Sequence, residues 1–251
     1  ELAEEFFPEG EAIHAAPTVD LTDFDPDAEV KLVAAALYPS SHHSDREIEA
    51  RVRRMTVEER VRVLVALTGD RDNRRQRPGR ALERPTYRFD ILSDYGAFRD
   101  LQRHRLMTIE WQRLTPLHGF SRPPDLDEAG VAGRFDEAMD RSAALHDVLA
   151  EPFPEQASYA VSLAYRIRYL MEMNAREAMH VIELRTTPQG HPAYRDVCQQ
   201  MHHLIADVAG HRAIAEMIRF ADHSDEPELE RIEAERRVEE RRRARGDATV
   251  G

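Results

Sequence analysis

Two segments of the sequence alternate apolar and polar side chains with a period of two. In residues 86–91, Tyr87, Phe89 and Ile91 alternate with polar residues. In residues 165–173, tyrosine, isoleucine and methionine alternate with arginine, leucine and glutamate. Because successive side chains of a β-strand point to opposite faces of a sheet, both segments are predicted to be strands. The residues around the second segment are also compatible with a helix, but its alternation favours a strand.

Helix signals cover much of the remaining chain. Apolar residues recur at helical spacing, Thr56 and Glu59 form a capping-box pattern, and Asn174 is suited to cap a helix. We expect helices over residues 28–37, 45–55, 56–69, 95–102, 134–149, 175–184, 193–208 and 211–220. Helices packed around a small, mostly antiparallel sheet give an α+β fold.

Composition changes near both ends of the chain. Residues 1–18 combine proline and glycine with acidic residues, which predicts a leader or linker. Residues 223–251 are dominated by glutamate and arginine, which predicts a charged tail that is helical or disordered. Residues 19–222 are expected to form the folded domain. The sequence begins with Glu1 rather than methionine, so a further domain before it stays open.

The charge balance argues against several classes of function. The chain has 47 acidic and 35 basic residues and a formal net charge of -12. Nucleic-acid-binding proteins concentrate positive charge over a broad face, so we expect no nucleic-acid partner. No apolar run reaches the roughly 18 to 20 residues of a membrane helix, and no signal-peptide pattern is present, so we expect a cytoplasmic protein without a membrane partner. Cys198 is the only cysteine, which excludes a multi-cysteine zinc site, and we predict no metal ligand.

Three consecutive side chains, Arg103, His104 and Arg105, form a local positive cluster in this acidic chain. Lys31 is the only lysine, so nearly every cation is a guanidinium group, which favours bidentate contacts to phosphate or carboxylate. The triplet therefore suggests a site for a phosphate-bearing ligand. Because it lies near the predicted end of the helix over residues 95–102, a favourable interaction with the helix dipole explains it equally well.

A second group of polar residues surrounds the predicted helix over residues 175–184. Asn174 and Arg176 lie at its N-terminus, where free backbone N–H groups favour anions, and Arg185 follows its C-terminus. Each residue also has a simpler explanation. Asn174 can act as an ordinary N-cap, and the two arginines need no ligand beyond the helix itself.

The order of these motifs resembles the signature of the flavin-dependent thymidylate synthases. That signature contains Arg-His-Arg, preceded by a Glu-His…Phe-x-Phe strand and followed by Asn-x-Arg…Leu-x-Leu-Arg. The corresponding segments here are residues 82–89 (Leu-Glu-Arg-Pro-Thr-Tyr-Arg-Phe), residues 103–105, and residues 174–185, which begin with Asn-Ala-Arg and end with Glu-Leu-Arg. The resemblance covers roughly residues 18–222. The joint order of the motifs makes it more specific than any one of them.

The resemblance implies an FAD-binding homo-oligomer, or one partner of a tandem pair, that reductively methylates dUMP or a related pyrimidine nucleotide. NADPH would reduce the flavin, methylenetetrahydrofolate would supply the carbon, and the protein would position the reactants. The implied cofactor contacts are Glu83, Arg103, His104, Arg105, Asn174, Arg176 and His180. The implied substrate contacts are Trp111, Arg113, Arg168 and Arg185. Arg185 is also the implied catalytic residue, since an arginine against the pyrimidine ring would stabilise negative charge that develops there.

Departures from the signature gather mainly on the nucleotide side. In the family signature, a serine follows Arg-His-Arg after seven intervening residues, and here Arg113 stands in its place. Trp111 occupies a position that is usually acidic, and His180 replaces an asparagine. One interpretation is a flavoprotein whose reshaped pocket binds a different ring or anion. Another is a degenerate, non-catalytic partner domain of a tandem or hetero-oligomeric assembly. Unchanged thymidylate synthesis, with other groups in place of the serine, is the third.

Overall fold

The computed structural model describes residues 18–224 and the single residues Phe6 and Arg236. At its centre is a four-stranded sheet in the order β1-β2-β4-β3, and each neighbouring pair is antiparallel. The strands are β1 (Val19–Phe24), β2 (Thr86–Asp94), β3 (Thr108–Trp111) and β4 (Arg166–Asn174). β2 and β4 are the two strands predicted from the alternation, and both are confirmed.

Helices supply most of the remaining structure, so the predicted α+β class is confirmed. They are α1 (Ala28–Leu37), α2 (Asp45–Val52), α3 (Val57–Thr68), α4 (Tyr95–Leu101), α5 (Asp125–Glu128), α6 (Ala132–Ala150), α7 (Ala175–Arg185), α8 (Pro192–Asp207) and α9 (Arg212–Met217). The helix predicted over residues 211–220 is shorter than expected, because the backbone leaves the helical conformation at Ile218, with ψ at 50°.

Side-chain caps fix where several helices begin. Ser44 and Thr56 each form a complete capping box at the start of α2 and α3, and the box at Thr56 is the one predicted from the sequence. Asn174 ends β4 and at once caps α7, since its side chain accepts a hydrogen bond from the backbone N–H of Glu177 at 2.9 Å. Strand and helix are therefore joined without a loop, which fixes the direction of α7 relative to the sheet.

The two faces of the sheet differ in burial. On β4, Ile167, Tyr169 and Met171 are buried in the main core, whereas the residues between them are partly exposed. β2 alternates in the same way. The partly exposed face carries charged side chains from both strands, and we call it the polar face. Its charged residues on β2 and β4 include Arg88, Asp90, Arg168 and Glu172.

The sequence does not predict β1 or β3. Both lie at the edges of the sheet, where each pairs with one neighbour only. β3 has four residues, and three of them are exposed, so it lacks the alternation that identifies a half-buried strand. Pairing with the longer β4 stabilises it, and tertiary contacts of this kind leave little trace in a short local sequence.

The predicted leader over residues 1–18 and tail over residues 223–251 lie almost wholly outside the described residues, so both stay predictions. The domain between them contains every helix and strand named above. In the described part of the chain, no helix combines the length and the apolar character needed to cross a membrane.

Candidate functional site

A cavity of about 570 Å³ lies along α7 from its N-cap Asn174 to Glu183, within the size range of small-molecule sites. We call it the α7 pocket. Besides α7, its walls come from the loop of residues 69–80, the short 3-10 helix that follows it, and the segment after the Arg-His-Arg triplet. The lining residues are Arg71, Arg74, Arg77, Pro78, Arg80, Glu83, Leu106, Asn174, Arg176, Glu177, Met179, His180 and Glu183. Arginine and glutamate dominate this set.

One row of residues on α7 contributes four of these residues, and we call it the α7 stripe. Asn174, Glu177, His180 and Glu183 are each three positions apart, so consecutive members are neighbours in a row that winds around the helix. The stripe starts at the helix N-terminus, where the aligned peptide dipoles give a partial positive charge. An anionic ligand group is therefore favoured at this end of the pocket.

Glu83 is held between two arginines at the pocket wall. Its carboxylate accepts a hydrogen bond from Nη1 of Arg176 at 2.8 Å and another from Nη2 of Arg80 at 2.8 Å. The hydrogen bond from Arg80 is the main reason that the pKa of Glu83 lies below its usual range, although partial burial opposes it. Nε of Arg176 is buried and has no hydrogen-bond partner among the described residues. The carboxylate thus orients Arg176 while leaving one of its donors available.

His104 lies behind the α7 pocket and is buried. Its Nε2 atom accepts a hydrogen bond from Nε of Arg185 at 3.0 Å, and its Nδ1 atom lies 3.4 Å from Oε1 of Glu177. Because arginine can only donate, Nε2 must be the unprotonated nitrogen and Nδ1 must carry the proton. His104 therefore connects Arg185 to the glutamate of the α7 stripe with a defined tautomer.

The side chains of His104, Glu177 and His180 place three possible metal-ligand atoms within 4.8 Å of one another. A metal on Nδ1 of His104 would require a proton on Nε2, where Arg185 already donates. The arginines that line the pocket would also repel a cation. The arrangement therefore favours an anionic ligand over a metal ion.

The other two members of the triplet point away from His104. Arg103 and Arg105 are both exposed, and Nη1 of Arg103 lies 3.3 Å from a carboxylate oxygen of Asp100. Neither arginine lines the α7 pocket. Within one chain the structure thus brings Glu83, Asn174, Arg176 and His180 together. His104 contacts this group through Glu177 and through His180, whose ring centre lies 5.5 Å from its own.

Arg185 is partly buried and contacts the end of α4. Besides His104, it donates a hydrogen bond to the backbone oxygen of Asp100, and its guanidinium lies 5.4 Å from the ring centre of Tyr194. Arg185 is not a lining residue of the α7 pocket. In this chain its immediate role is to orient His104, and its implied substrate contact stays a prediction.

The remaining residues implied for the substrate lie on the sheet or just after its edge strand β3, outside the lining of the α7 pocket. Arg168 is on the polar face, where its Nη1 lies 3.1 Å from Oδ1 of Asp90. Trp111 ends β3, packs 5.6 Å from the ring centre of Phe98 and is 56% exposed, and Arg113 is exposed just beyond it. None of the three lines the α7 pocket. A single chain therefore does not bring the two sets of implied residues into one cavity.

The surroundings of His180 in the pocket wall change its titration. Burial is the main cause that lowers its pKa, and the charges of Arg77 and Arg74 lower it further, whereas Glu177 acts in the opposite direction. A histidine with a lowered pKa is neutral near pH 7, so it can offer one donor and one acceptor to a ligand.

Sequence reasoning missed the contribution of the loop over residues 69–80. None of the cofactor contacts predicted from the sequence lies in this loop, yet Arg71, Arg74, Arg77 and Arg80 all line the pocket. The available signal was the density of arginine in a chain with excess acid. Glu177 was also missed, and its signal was the three-residue spacing that starts at the Asn174 cap.

Comparison with known proteins places these motifs in one family. Residues 20–210 match the family described as thymidylate synthase complementing protein (Thy1). A UPF0159 protein of Chlamydia muridarum is 37% identical over 219 residues, which are 87% of this chain and 41% of that protein. A UPF0159 protein of Thermoplasma acidophilum is 36% identical over 207 residues, which are 82% of this chain and 41% of that protein. The chain thus spans about two-fifths of the length of these curated relatives.

The fold is also similar to that of a solved structure. A UMP/dUMP methylase, PolB from Streptomyces cacaoi, bound with 5-Br dUMP, matches with a TM-score of 0.59 and 19% identity, over 82% of this chain and 97% of that one. At this identity the likeness concerns the fold. The family match, by contrast, spans the Glu83 segment, the triplet and the start of α7. The resemblance predicted from the motifs is confirmed, and the chain belongs to the thymidylate synthase complementing protein family.

Proposed function

We propose that the α7 pocket binds FAD and that the chain takes part in the reductive methylation of dUMP or a related pyrimidine nucleotide. The observation that carries this proposal is the convergence of Glu83, Asn174, Arg176 and His180 in one arginine-rich pocket. These are four of the seven positions that the family resemblance implies for the cofactor. The size of the cavity suits a ligand of this class.

The chemistry of the lining fits a flavin dinucleotide. The arginines and the N-terminus of α7 match a diphosphate, since both favour anions. Leu106, Met179 and Pro78 offer apolar contact for a ring system. The unpartnered Nε of Arg176 supplies a buried donor. These features support FAD more directly than a small, purely apolar ligand.

FAD would supply the redox chemistry, since it accepts a hydride from NADPH and passes it to a nucleotide that has received its carbon from methylenetetrahydrofolate. The protein would bind and orient. Glu83 would hold Arg176 in place, and Arg185 would keep Nδ1 of His104 protonated and directed at Glu177. Neutral His180 would offer a hydrogen bond without adding charge.

The position of the substrate-side residues supports an assembly. Trp111, Arg113 and Arg168 lie outside the α7 pocket of the same chain. For them to reach the same reactants, they must come from a second copy of the chain or from a further domain. A homo-oligomer or a tandem partner is therefore part of the proposal.

A degenerate, non-catalytic partner domain is the second candidate. It is favoured by Arg113 in place of the family serine and by the curated relatives, which are more than twice as long as the matching region. Such a domain would keep the fold and the contacts between domains but would not methylate a nucleotide. The two candidates differ in what the purified protein binds and releases.

The deciding experiment is the visible spectrum of the purified protein, with and without added FAD, followed by a tritium-release assay at C5 of dUMP or UMP. FAD binding with tritium release supports methylation. FAD binding without release supports the partner domain. Absence of flavin absorbance and of any FAD binding would overturn the proposed cofactor.

Replacing Arg113 with serine tests the nucleotide side separately. If Arg113 is what blocks dUMP, Arg113→Ser should gain dUMP binding in a calorimetric titration, because it removes a large cation and restores the family's hydroxyl group. Arg122→Ser, which removes another surface arginine outside the motifs, is the matched control. Equal dUMP affinity in Arg113→Ser and the unmodified chain would contradict this interpretation.

A further inference from the structure

The loop over residues 69–80 carries more positive charge than the family's cofactor motifs explain. It contains five arginines and forms one wall of the α7 pocket. We propose that Arg74 and Arg77 of this loop form the phosphate-binding wall of the pocket and hold the diphosphate group of a dinucleotide. The identity of that dinucleotide as FAD rests on the proposed function.

A buried ion pair fixes this loop to the body of the protein. Nη1 of Arg71 donates to Oε1 of Glu183 on α7 at 2.8 Å, and its Nη2 donates to the other carboxylate oxygen. The two residues are only 4% and 1% exposed. Arg71 also donates to the backbone oxygen of Met217 at 3.1 Å and lies 5.0 Å from the ring centre of Phe220. The start of the loop is therefore anchored on several sides.

The same guanidinium also shapes the loop backbone. Nε of Arg71 donates to the backbone oxygen of Gln76 at 2.7 Å, and the side-chain oxygen of Gln76 accepts from the backbone N–H of Asp72 at 2.6 Å. A further backbone bond joins Gln76 to Asn73 at 3.1 Å. These bonds close the turn that presents Arg74 and Arg77. Because the turn is held in place, less conformational entropy is lost when a ligand binds.

Charge pairing in the pocket leaves two arginines over. Arg71 is paired with Glu183, Glu83 is paired with both Arg80 and Arg176, and Glu177 faces His104. These three glutamates are the carboxylates of the lining. The other two lining arginines are Arg74 and Arg77. Among residues 18–224, their side chains make no hydrogen bond and no ion pair.

Arg74 and Arg77 reach the pocket beside His180. Both line the cavity, Arg74 is half-buried and Arg77 is exposed. They act on the same histidine electrostatically, since their charges add to burial in lowering the pKa of His180. Two guanidinium groups from one turn, lining the same cavity as the N-terminus of α7, can each make a bidentate contact to one phosphate of a diphosphate. A single phosphate would use only half of this arrangement.

The test is the double variant Arg74→Gln/Arg77→Gln in the full chain, titrated calorimetrically with FAD, riboflavin, ADP and dUMP. Arg75→Gln is the matched control, because Arg75 belongs to the same turn but is exposed and does not line the pocket. We expect the double variant to lose FAD and ADP affinity by roughly tenfold or more, as charge-assisted contacts are removed. Riboflavin, which has no phosphate, should bind equally well to all three proteins. Equal thermal unfolding midpoints would show that the variants are folded.

Each outcome separates this inference from the proposed function. If the unmodified chain binds FAD and the double variant binds FAD and ADP as tightly, the inference is wrong while the proposed cofactor stands. If the unmodified chain binds no flavin but binds ADP, and the double variant loses ADP, the proposed cofactor is wrong while the diphosphate wall stands. A selective loss of dUMP affinity in the double variant would overturn the inference, since the arginines would then serve the substrate. Absence of both FAD and ADP binding would overturn both.

Discussion

The α7 pocket and the polar face of the sheet both combine arginines with carboxylates, but they differ in burial and in charge balance. Beside the pocket, Arg71 and Glu183 form an ion pair in the protein interior. On the polar face, Arg168 and Asp90 form a pair that stays partly exposed. The pocket also retains surplus arginines, whereas Arg88 and Arg168 of the polar face each have a cross-strand acidic partner. The first region therefore has the surplus positive charge that the proposed anion site needs, whereas these two arginines of the second region are each balanced by a carboxylate.

The difference explains why a single chain assembles one set of implied residues and not the other. α7, the anchored loop and the Arg80–Glu83 turn come together around shared ion pairs, so the cofactor-side residues are positioned by the fold itself. Trp111 and Arg168 take no part in these ion pairs. Trp111 lies on the edge strand β3, and Arg168 lies on the polar face of the sheet. The comparison predicts that perturbing the first region affects both stability and ligand binding.

The largest expected effect is on stability. Arg71→Met should lower the free energy of unfolding by about 3–5 kcal/mol, because it leaves the carboxylate of Glu183 buried without its partner. Arg168→Met, the matched change on the polar face, should cost no more than about 1 kcal/mol, since partly exposed pairs contribute little. Urea unfolding of both variants measures the difference.

A second substitution tests the cause of that effect. In the Arg71→Met background, Glu183→Gln should recover part of the lost stability, because it removes the unpaired buried charge. Equal losses for Arg71→Met and Arg168→Met would remove the distinction between the two regions.

The next effect is on cofactor affinity. Arg176→Ala should weaken FAD binding roughly ten- to a hundredfold, the range expected for the loss of a hydrogen bond from a charged donor. Glu83 would keep its bond to Arg80, so the pocket wall should stay folded. Arg168→Ala removes an arginine from the polar face and should leave FAD affinity unchanged in the isolated chain. A fluorescence titration with FAD measures the affinity of both variants. If both lose the same affinity, or neither loses any, the assignment of the cofactor to the α7 pocket is wrong.

Much of the fold follows from local sequence signals. The capping box at Thr56 and the alternation in β2 and β4 each depend on residues within one element, so the sequence predicts them correctly. The edge strand β3 and the early end of α9 depend on contacts with distant parts of the chain, which no local pattern records. The family match confirms the motif-based resemblance over residues 20–210.

The site was less predictable than the fold. The convergence of Glu83 with Arg176 needs a contact across 93 positions, and the anchoring of Arg71 by Glu183 needs one across 112. Motif order could suggest the first contact through the family, but no family motif quoted for this chain includes Arg71 or Arg74. The sequence shows that the loop over residues 69–80 is rich in arginine. Only the structure shows that the loop is anchored beside α7, so that its arginines line the pocket.

A smaller effect separates two roles of Asn174. Asn174→Ala should lower the free energy of unfolding by about 1 kcal/mol through loss of the α7 cap, and Ser44→Ala, at the cap of α2, should cost a similar amount. Asn174→Asp keeps the cap but adds a negative charge beside the proposed diphosphate. It should therefore keep stability and lose FAD affinity, as measured by urea unfolding and by titration. Unchanged FAD affinity in Asn174→Asp would remove Asn174 from the proposed contacts.

The two regions also share one feature, a histidine beside two arginines. In the pocket, burial first, and then the charges of Arg77 and Arg74, lower the pKa of His180. On the polar face, burial first, and then the charges of two β4 arginines, lower the pKa of His118. Because the folded state binds these protons less readily than the unfolded state, the free energy of unfolding should fall as the pH drops below about 6.5.

The smallest effect expected is a difference between these two histidines when FAD is present. The phosphates of FAD would offset the charges of Arg74 and Arg77 and so raise the pKa of His180. His180 would then contribute less to the loss of stability at low pH, whereas the contribution of His118 would not change. Urea unfolding between pH 5 and 7.5, with and without FAD, measures this in the unmodified chain and in His180→Asn and His118→Asn. FAD should flatten the pH dependence of the unmodified chain and of His118→Asn more than that of His180→Asn. Equal flattening in all three would mean that the ligand charge does not reach the pocket histidine, and the electrostatic contrast between the two regions would fail.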